Sequence, residues 1–146
     1  MNNSRIEKAS ELFSKGFNCS QSVFCAYADL FGMDFETAVN LSAGFGGGFG
    51  RMREVCGAFS AVTMLAGLKG DYTSPSKKIE IYKKIRELSE KFTEKNGSLI
   101  CREILKTGDK KESHIPEERT AEYMKVRPCP EIVKSACEIV EKYILD

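Results

Sequence analysis

The chain lacks the close cysteine pairs on which many metal sites and thioredoxin-type sites are built. It has six cysteines in 146 residues, yet no C-x-x-C occurs. This absence argues against a thioredoxin-type pair, a zinc ribbon and the usual ferredoxin motif. Without C-x-x-C-H there is also no attachment site for a c-type haem. Any metal site would therefore need ligands gathered from distant helices, as in the core of a bundle.

An excess of one charge and a long apolar run are also missing. The formal net charge is +1, so no strong field indicates binding to nucleic acid or to an anionic membrane. No apolar run approaches the roughly 20 residues of a membrane helix, and residues 1–13 lack the apolar core of a signal peptide. We therefore expect a cytoplasmic protein without nucleic-acid or membrane partners. Thiols in that compartment are redox-active, metal-binding or simply buried.

Glycine is plentiful, but it forms no known nucleotide-binding motif. Residues 44–50, GFGGGFG, fit G-x-G-x-x-G in no register and follow a helical pattern, and no G-K-[ST] occurs. One interpretation is a tight turn that needs positive φ. The other is close approach to a bound anion, sulfur-liganded cluster or cofactor edge, held by Gly46, Gly47, Gly48 and Arg51. The sequence leaves both interpretations open.

Apolar residues recur at helical spacing through nearly the whole chain, and no segment alternates as a strand does. We expect a single all-α, bundle-like domain over residues 1–146, with six to eight helices. The segment 54–66 is apolar on every side, which is typical of a buried central helix, and it also suggests a homodimer. Gly67 is expected to end this helix. The predicted helices span residues 4–13, 18–31, 34–43, 53–66, 74–96, 98–107, 115–125 and 129–145.

A shared position distinguishes some of the cysteines: the apolar side of the first turn of a predicted helix. These cysteines are Cys19, Cys56, Cys101 and Cys129. Unpaired N–H groups and the helix dipole lower the pKa of a thiol there, whereas burial raises it. Arg51 and Arg53 are expected to favour the thiolate of Cys56. Cys25 and Cys137 lie elsewhere on their helices, where ordinary packing or partial exposure is expected.

In its cysteine order and glycine-rich segment the chain resembles the redox-active family named for its pattern, C_GCAxxG_C_C. The resemblance covers nearly the full length and rests on NCSQSV, AGFGGGFGRMREVCGA, CREIL and CPEIV. The central C-G-A-x-x-G begins at Cys56, and its last glycine is replaced by Ala61, which adds a methyl group at a close-packed point. The resemblance implies a redox or electron-transfer role for Cys19, Cys56, Cys101 and Cys129, with no settled substrate.

Three functions remain open at this point. In the first, the thiols exchange disulfides with an unknown redox partner, with Cys56 as the reactive thiol and Cys19 as its resolving partner. In the second, the four cysteines bind zinc or an iron–sulfur cluster. In the third, the protein is a helical scaffold with inert buried thiols. The single histidine, His114, lies in a polar segment, and we expect a solvated side chain.

Overall fold

A computed structural model describes residues 3–107, 112–119 and 128–146 of the chain. Over these residues the protein is all-α, and the extended backbone that pairs is a single bridge between Val55 and Ile100. The α-helices are α1 (Asn3–Ser14), α2 (Cys19–Tyr27), α3 (Phe35–Ser42), α4 (Gly57–Lys69), α5 (Lys78–Asn96), α6 (Cys101–Leu105) and α7 (Cys129–Ile139). Three short 3₁₀ segments are Ala28–Phe31, Ala43–Phe45 and Pro75–Lys77, and a π-helix, Val140–Leu145, continues α7. The predicted fold class is confirmed.

Helix α4 is the central helix of the domain, as predicted. It packs against α2, α5, α7 and the C-terminal π-helix. Ala58, Ala61, Val62 and Leu65 are fully buried within it. The predicted end at Gly67 is wrong, because the helix continues to Lys69. Gly67 lies inside the helix and is absent from the glycines with positive φ, so it is an ordinary helical residue and not a cap.

The start of α2 is fixed by a capping box, as the sequence predicts. The Asn18 side chain accepts a hydrogen bond from the Gln21 backbone at 2.9 Å, and the Gln21 side chain accepts one from the Asn18 backbone at 3.1 Å. The Asn18 amide also donates to the Ala43 carbonyl at 2.9 Å. The cap therefore anchors the first residue of α2, Cys19, beside the segment that follows α3.

Several predicted side-chain positions are corrected by the structure. Helical spacing within the predicted helix 18–31 places Leu30 in line with Cys19 on the core face, but Leu30 is 48% exposed. The α-helix ends at Tyr27 and continues as a 3₁₀ turn, which changes the angle between successive side chains. Helical spacing within the predicted helix 74–96 also places Tyr82 on its apolar face, yet Tyr82 is 63% exposed. Cys25 and Cys137 are both buried, which confirms ordinary packing for them.

The sequence also predicts a helix over residues 115–125, before α7. Residues 115–119 are not helical, and the rest of that segment lies outside the described residues. Separately, no helix in the described ranges is both long and apolar enough to cross a membrane.

Candidate functional site

The cysteines that the sequence singled out line one cavity of about 690 Å³. Cys19, Cys101 and Cys129 are the first residues of α2, α6 and α7, and Cys56 is the N-cap residue of α4. The predicted helix-start position is confirmed for each of them. Their convergence follows from the packing, because the starts of these helices meet at this cavity. None of the six cysteines, all of which are described, forms a disulfide.

The glycine loop, residues 44–53, forms one wall of this site. Five consecutive residues, 47–51, have positive φ, between 56° and 71°. Glycine adopts this conformation without the steric cost that other residues carry, and three of the five are glycines. The Gly50 N–H donates to the Gly44 carbonyl and the Glu54 N–H to the Gly48 carbonyl, each at 2.9 Å. The interpretation as a turn that needs positive φ is confirmed.

Side-chain atoms also lie very close to several glycines of the loop and of the helix that follows it. A Cβ at Gly46 would lie 2.3 Å from Asn18 Cγ, and one at Gly48 would lie 2.7 Å from Cys101 Cβ. At Gly57 a Cβ would lie 2.8 Å from the Cys19 sulfur. Side chains of the protein itself therefore occupy these close contacts. Of the predicted cofactor-binding residues, Gly46, Gly47 and Arg51 line the cavity, whereas Gly48 packs against Cys101.

Cys19 and Cys56 form a hydrogen-bonded pair of sulfur atoms. The Cys56 thiol donates to the Cys19 sulfur, which also accepts the backbone N–H groups of Gly47, Ser20 and Ala58. These bonds lower the pKa of Cys19 to about 6, although burial acts in the opposite direction. The same hydrogen bond to Cys19, together with burial, raises the pKa of Cys56. The contacts thus favour Cys19 as the thiolate, the reverse of the roles expected from the sequence.

The arginines of the glycine loop do not act where the sequence analysis placed them. Arg53 Nη1 donates to the sulfur of Cys101 at 3.6 Å, and both Arg51 and Arg53 bind the carboxylate of Glu112. The expected contribution to a Cys56 thiolate is therefore corrected to a contact with Cys101. Burial raises the pKa of Cys101, and the Arg53 contact opposes that rise.

The bridge between Val55 and Ile100 was not predicted, and it fixes the start of α6 beside the start of α4. The Cys56 N–H donates to the Leu99 carbonyl at 2.8 Å, and the Cys101 N–H to the Glu54 carbonyl at 2.6 Å. A bridge this short has no alternating apolar pattern by which to recognise it. It holds Cys56 and Cys101 on the same wall of the cavity.

The segment 112–119 contributes four residues to the lining of the cavity, among them His114 and Arg119. His114 lines the cavity but is exposed, in line with the solvated side chain expected for it. Arg119 was missed by the sequence analysis. Its guanidinium lies 4.0 Å from the centre of the Phe13 ring and donates to the Phe17 carbonyl at 3.0 Å. Nothing local in the sequence indicates such a long-range contact.

The donor set suits zinc or an iron–sulfur cluster in its chemistry, because both bind four cysteine thiolates. The placement of these donors does not suit either group. Within the described ranges, no three His, Cys, Asp or Glu side chains are grouped so that they could hold a metal ion. The structure brings together a pair of thiols, Cys19 and Cys56, and not a closed site of four sulfur atoms.

Comparison with known proteins agrees with the cysteine pattern. A family model described as "Putative redox-active protein (C_GCAxxG_C_C)" matches residues 17–143. No curated protein and no solved structure matches the chain. The matched range covers most of the chain and includes each of the cysteines that line the cavity. The chain therefore belongs to the C_GCAxxG_C_C family.

Proposed function

We propose that the protein carries out thiol–disulfide exchange through Cys19 and Cys56, which pass two electrons to a partner disulfide or take two electrons from partner thiols. The observation that carries this proposal is the hydrogen bond from the Cys56 thiol to the Cys19 sulfur at the wall of the cavity. The family match supports a redox role in general. This contact supports the particular chemistry, because disulfide exchange needs a thiolate and a second thiol beside it.

Cys19 is the attacking thiol in this proposal. A pKa of about 6 means that most Cys19 side chains are thiolates at neutral pH, and the thiolate is the nucleophile. Backbone N–H groups from α2, α4 and the glycine loop stabilise its negative charge. Cys19 is also partly exposed and lines the cavity that a substrate would enter. Cys56 is buried and keeps its proton until the second step.

The reaction balances as two successive exchanges. The Cys19 thiolate attacks one sulfur of a substrate disulfide, a mixed disulfide forms, and the other substrate sulfur leaves and takes a proton from solvent. Cys56 then attacks the Cys19 sulfur, and its proton goes to the first substrate sulfur as that sulfur leaves. The substrate gains two electrons and is released as two thiols, while Cys19 and Cys56 become a disulfide. The reverse sequence oxidises two thiols.

Mapping of disulfides in matched variants tests this proposal. The protein and its Cys19→Ser, Cys56→Ser and Cys25→Ser variants are purified without oxygen and treated with hydroxyethyl disulfide. Peptides are then analysed by mass spectrometry without reduction. We expect a Cys19–Cys56 disulfide in the unmodified protein and in Cys25→Ser, a control on the same helix whose buried thiol lies outside the cavity. Both other variants should lack it. Unreacted thiols throughout would contradict the proposal and favour the inert scaffold.

Metal binding is the second candidate function, and the observation that favours it is the shared cavity of Cys19, Cys56, Cys101 and Cys129. The same oxygen-free preparation tests it through its iron and zinc content and its visible absorbance. Metal bound stoichiometrically, and lost in both Cys19→Ser and Cys129→Ser, would replace the proposal of disulfide exchange. Retention in Cys25→Ser would show that the loss is specific to the cavity.

A further inference from the structure

A carboxylate is bound between two arginines at the wall of the cavity, of which Arg53 is buried and Arg51 is partly buried. Arg53 Nε and Nη2 each donate to a different oxygen of Glu112 at 2.8 Å, and Arg51 Nη2 donates to one of these oxygens at 2.9 Å. The three side chains are between 10% and 14% exposed. Glu112 is about 60 residues distant in the chain. The two arginines therefore form a preorganised fork that matches a carboxylate.

The position of this fork relates it to the thiol pair. Arg51 and Arg53 line the same cavity as Cys19 and Cys56. A volume of about 690 Å³ falls within the range of about 300–1,000 Å³ for small-molecule sites. A concave site of this kind is better suited to a small molecule than to a disulfide on the surface of a folded protein. Other basic side chains also line it, Lys15, His114 and Arg119, against the acidic Glu117.

Resting on the proposed disulfide exchange, we propose that Arg51 and Arg53 are the carboxylate subsite of this cavity. The substrates are low-molecular-weight disulfides and thiols that carry carboxylates. The Glu112 carboxylate occupies the subsite in the free protein and competes with the substrate for the same donors. Glu117, 3.6 Å from Arg51, adds to this competition. A substrate carboxylate that replaces Glu112 holds the substrate in the cavity that Cys19 lines.

Binding of suberate tests the subsite without any redox chemistry. Suberate has the length of dithiodipropionate with carbon atoms in place of sulfur, so it binds but cannot react. Calorimetry should show binding of suberate and none of the diol of equal length. Glu112→Gln should bind suberate about tenfold more tightly, and Arg51→Gln about tenfold more weakly. Arg102→Gln, an arginine outside the cavity that pairs with Glu54, should leave binding unchanged. Equal affinity for the acid and the diol would overturn the proposal.

Kinetics with three disulfides separate the failure of this inference from the failure of the proposed function. The rate of Cys19–Cys56 disulfide formation is measured with dithiodipropionate, neutral hydroxyethyl disulfide and cationic cystamine. We expect the carboxylate compound to react fastest, and its advantage to fall about tenfold in Arg51→Gln. Equal rates for all three would overturn the carboxylate subsite and leave disulfide exchange standing. Suberate binding without oxidation by any disulfide would support the subsite and contradict disulfide exchange.

Discussion

The sulfur of Cys19 lies where backbone N–H groups from three segments meet: its own helix, the first turn of α4 and the glycine loop. Gly57 makes this possible, because a Cβ there would lie 2.8 Å from that sulfur. The Cys56 thiol adds a fourth donor. A substitution at position 56 removes this donor and leaves the backbone donors in place. Such a substitution therefore measures how much the Cys56 thiol contributes to the low pKa of Cys19.

We predict that Cys56→Ala raises the pKa of Cys19 above its value of about 6, because the thiol donor is lost. Cys56→Ser retains a hydroxyl donor and should keep the pKa closer to that of the unmodified protein. The pH dependence of alkylation, followed for the Cys19 peptide by mass spectrometry, measures both values. The same pKa in the alanine and serine variants would contradict a role for the side-chain donor.

The lowered pKa of Cys19 also predicts a pH-dependent stability. Its pKa falls from an ordinary 9.0 to about 6 on folding. The stability that this group contributes is therefore complete above pH 9 and is lost as the pH falls through 6. The difference in unfolding free energy between the unmodified protein and Cys19→Ser should thus increase from pH 6 to pH 9, by at most about 1.4 kcal/mol per pH unit.

Urea unfolding at a series of pH values, with reductant present, measures this difference. Cys56 is expected to change the stability with pH in the opposite direction. Its pKa is raised on folding, so the stability that it contributes is present below the ordinary thiol pKa and is lost as the pH rises through its pKa in the folded protein. The difference in unfolding free energy between the unmodified protein and Cys56→Ser should therefore become smaller at high pH. If the curves of the unmodified protein and Cys19→Ser run parallel from pH 6 to 9, the depressed pKa is wrong.

At the scale of the element, local chemistry explains which predictions succeeded. The start of α2 follows from the capping residues Asn18 and Gln21, and Pro130 favours a helix start at Cys129. The sequence could not distinguish the two interpretations of the glycine loop, a turn with positive φ and a close approach of other atoms, because both require glycine. The structure contains both, at different glycines of one segment. The end of α4 was mistaken because a glycine inside a helix looks the same in sequence as one that ends it.

Two glycines of the loop offer a matched test of these two requirements. Gly48 and Gly50 have φ of 71° and 56°, so alanine at either position has the same backbone strain, about 1–2 kcal/mol. A Cβ at Gly48 would also lie 2.7 Å from Cys101 Cβ, whereas at Gly50 it would meet nothing within 4 Å. We predict that Gly48→Ala lowers the unfolding free energy more than Gly50→Ala does and increases the alkylation of Cys101. Equal effects in denaturation and labelling would contradict the packing argument.

At the scale of the whole molecule, the site depends on contacts between segments that are far apart in sequence. The predicted fold class and the convergence of the cysteines rest on helical periodicity and on where helices begin, which the sequence carries locally. The roles of Cys19 and Cys56 depend on N–H groups of Gly47 and Ala58, which only the packing of the loop and α4 against α2 brings into place. For this reason the sequence points to the convergence of the cysteines, whereas the proposal that Cys19 is the thiolate depends on contacts that only the structure shows.

The helix that presents Cys19 is also held at its other end, and this contact gives a test of how far α2 depends on the C-terminus. The hydroxyl of Tyr27, fully buried, donates to Glu141 of the π-helix at 2.8 Å. Burial raises the pKa of Tyr27, so the hydroxyl stays protonated and remains a donor. Tyr27→Phe would leave the buried Glu141 side chain without this bond, and we predict a loss of about 1–3 kcal/mol in unfolding free energy.

The matched control is Tyr82→Phe, which removes the hydroxyl of a side chain that is 63% exposed and should change stability little. Urea denaturation of both variants measures the difference, and alkylation of Cys19 measures whether the opposite end of α2 has moved. Equal stability of the two variants would mean that the Tyr27–Glu141 bond contributes nothing. Tyr27→Phe could prove less stable while the pKa of Cys19 stays unchanged. This result would mean that the pKa of Cys19 depends only on the capping box, α4 and the glycine loop, because those contacts persist when the C-terminal anchor of α2 is weakened.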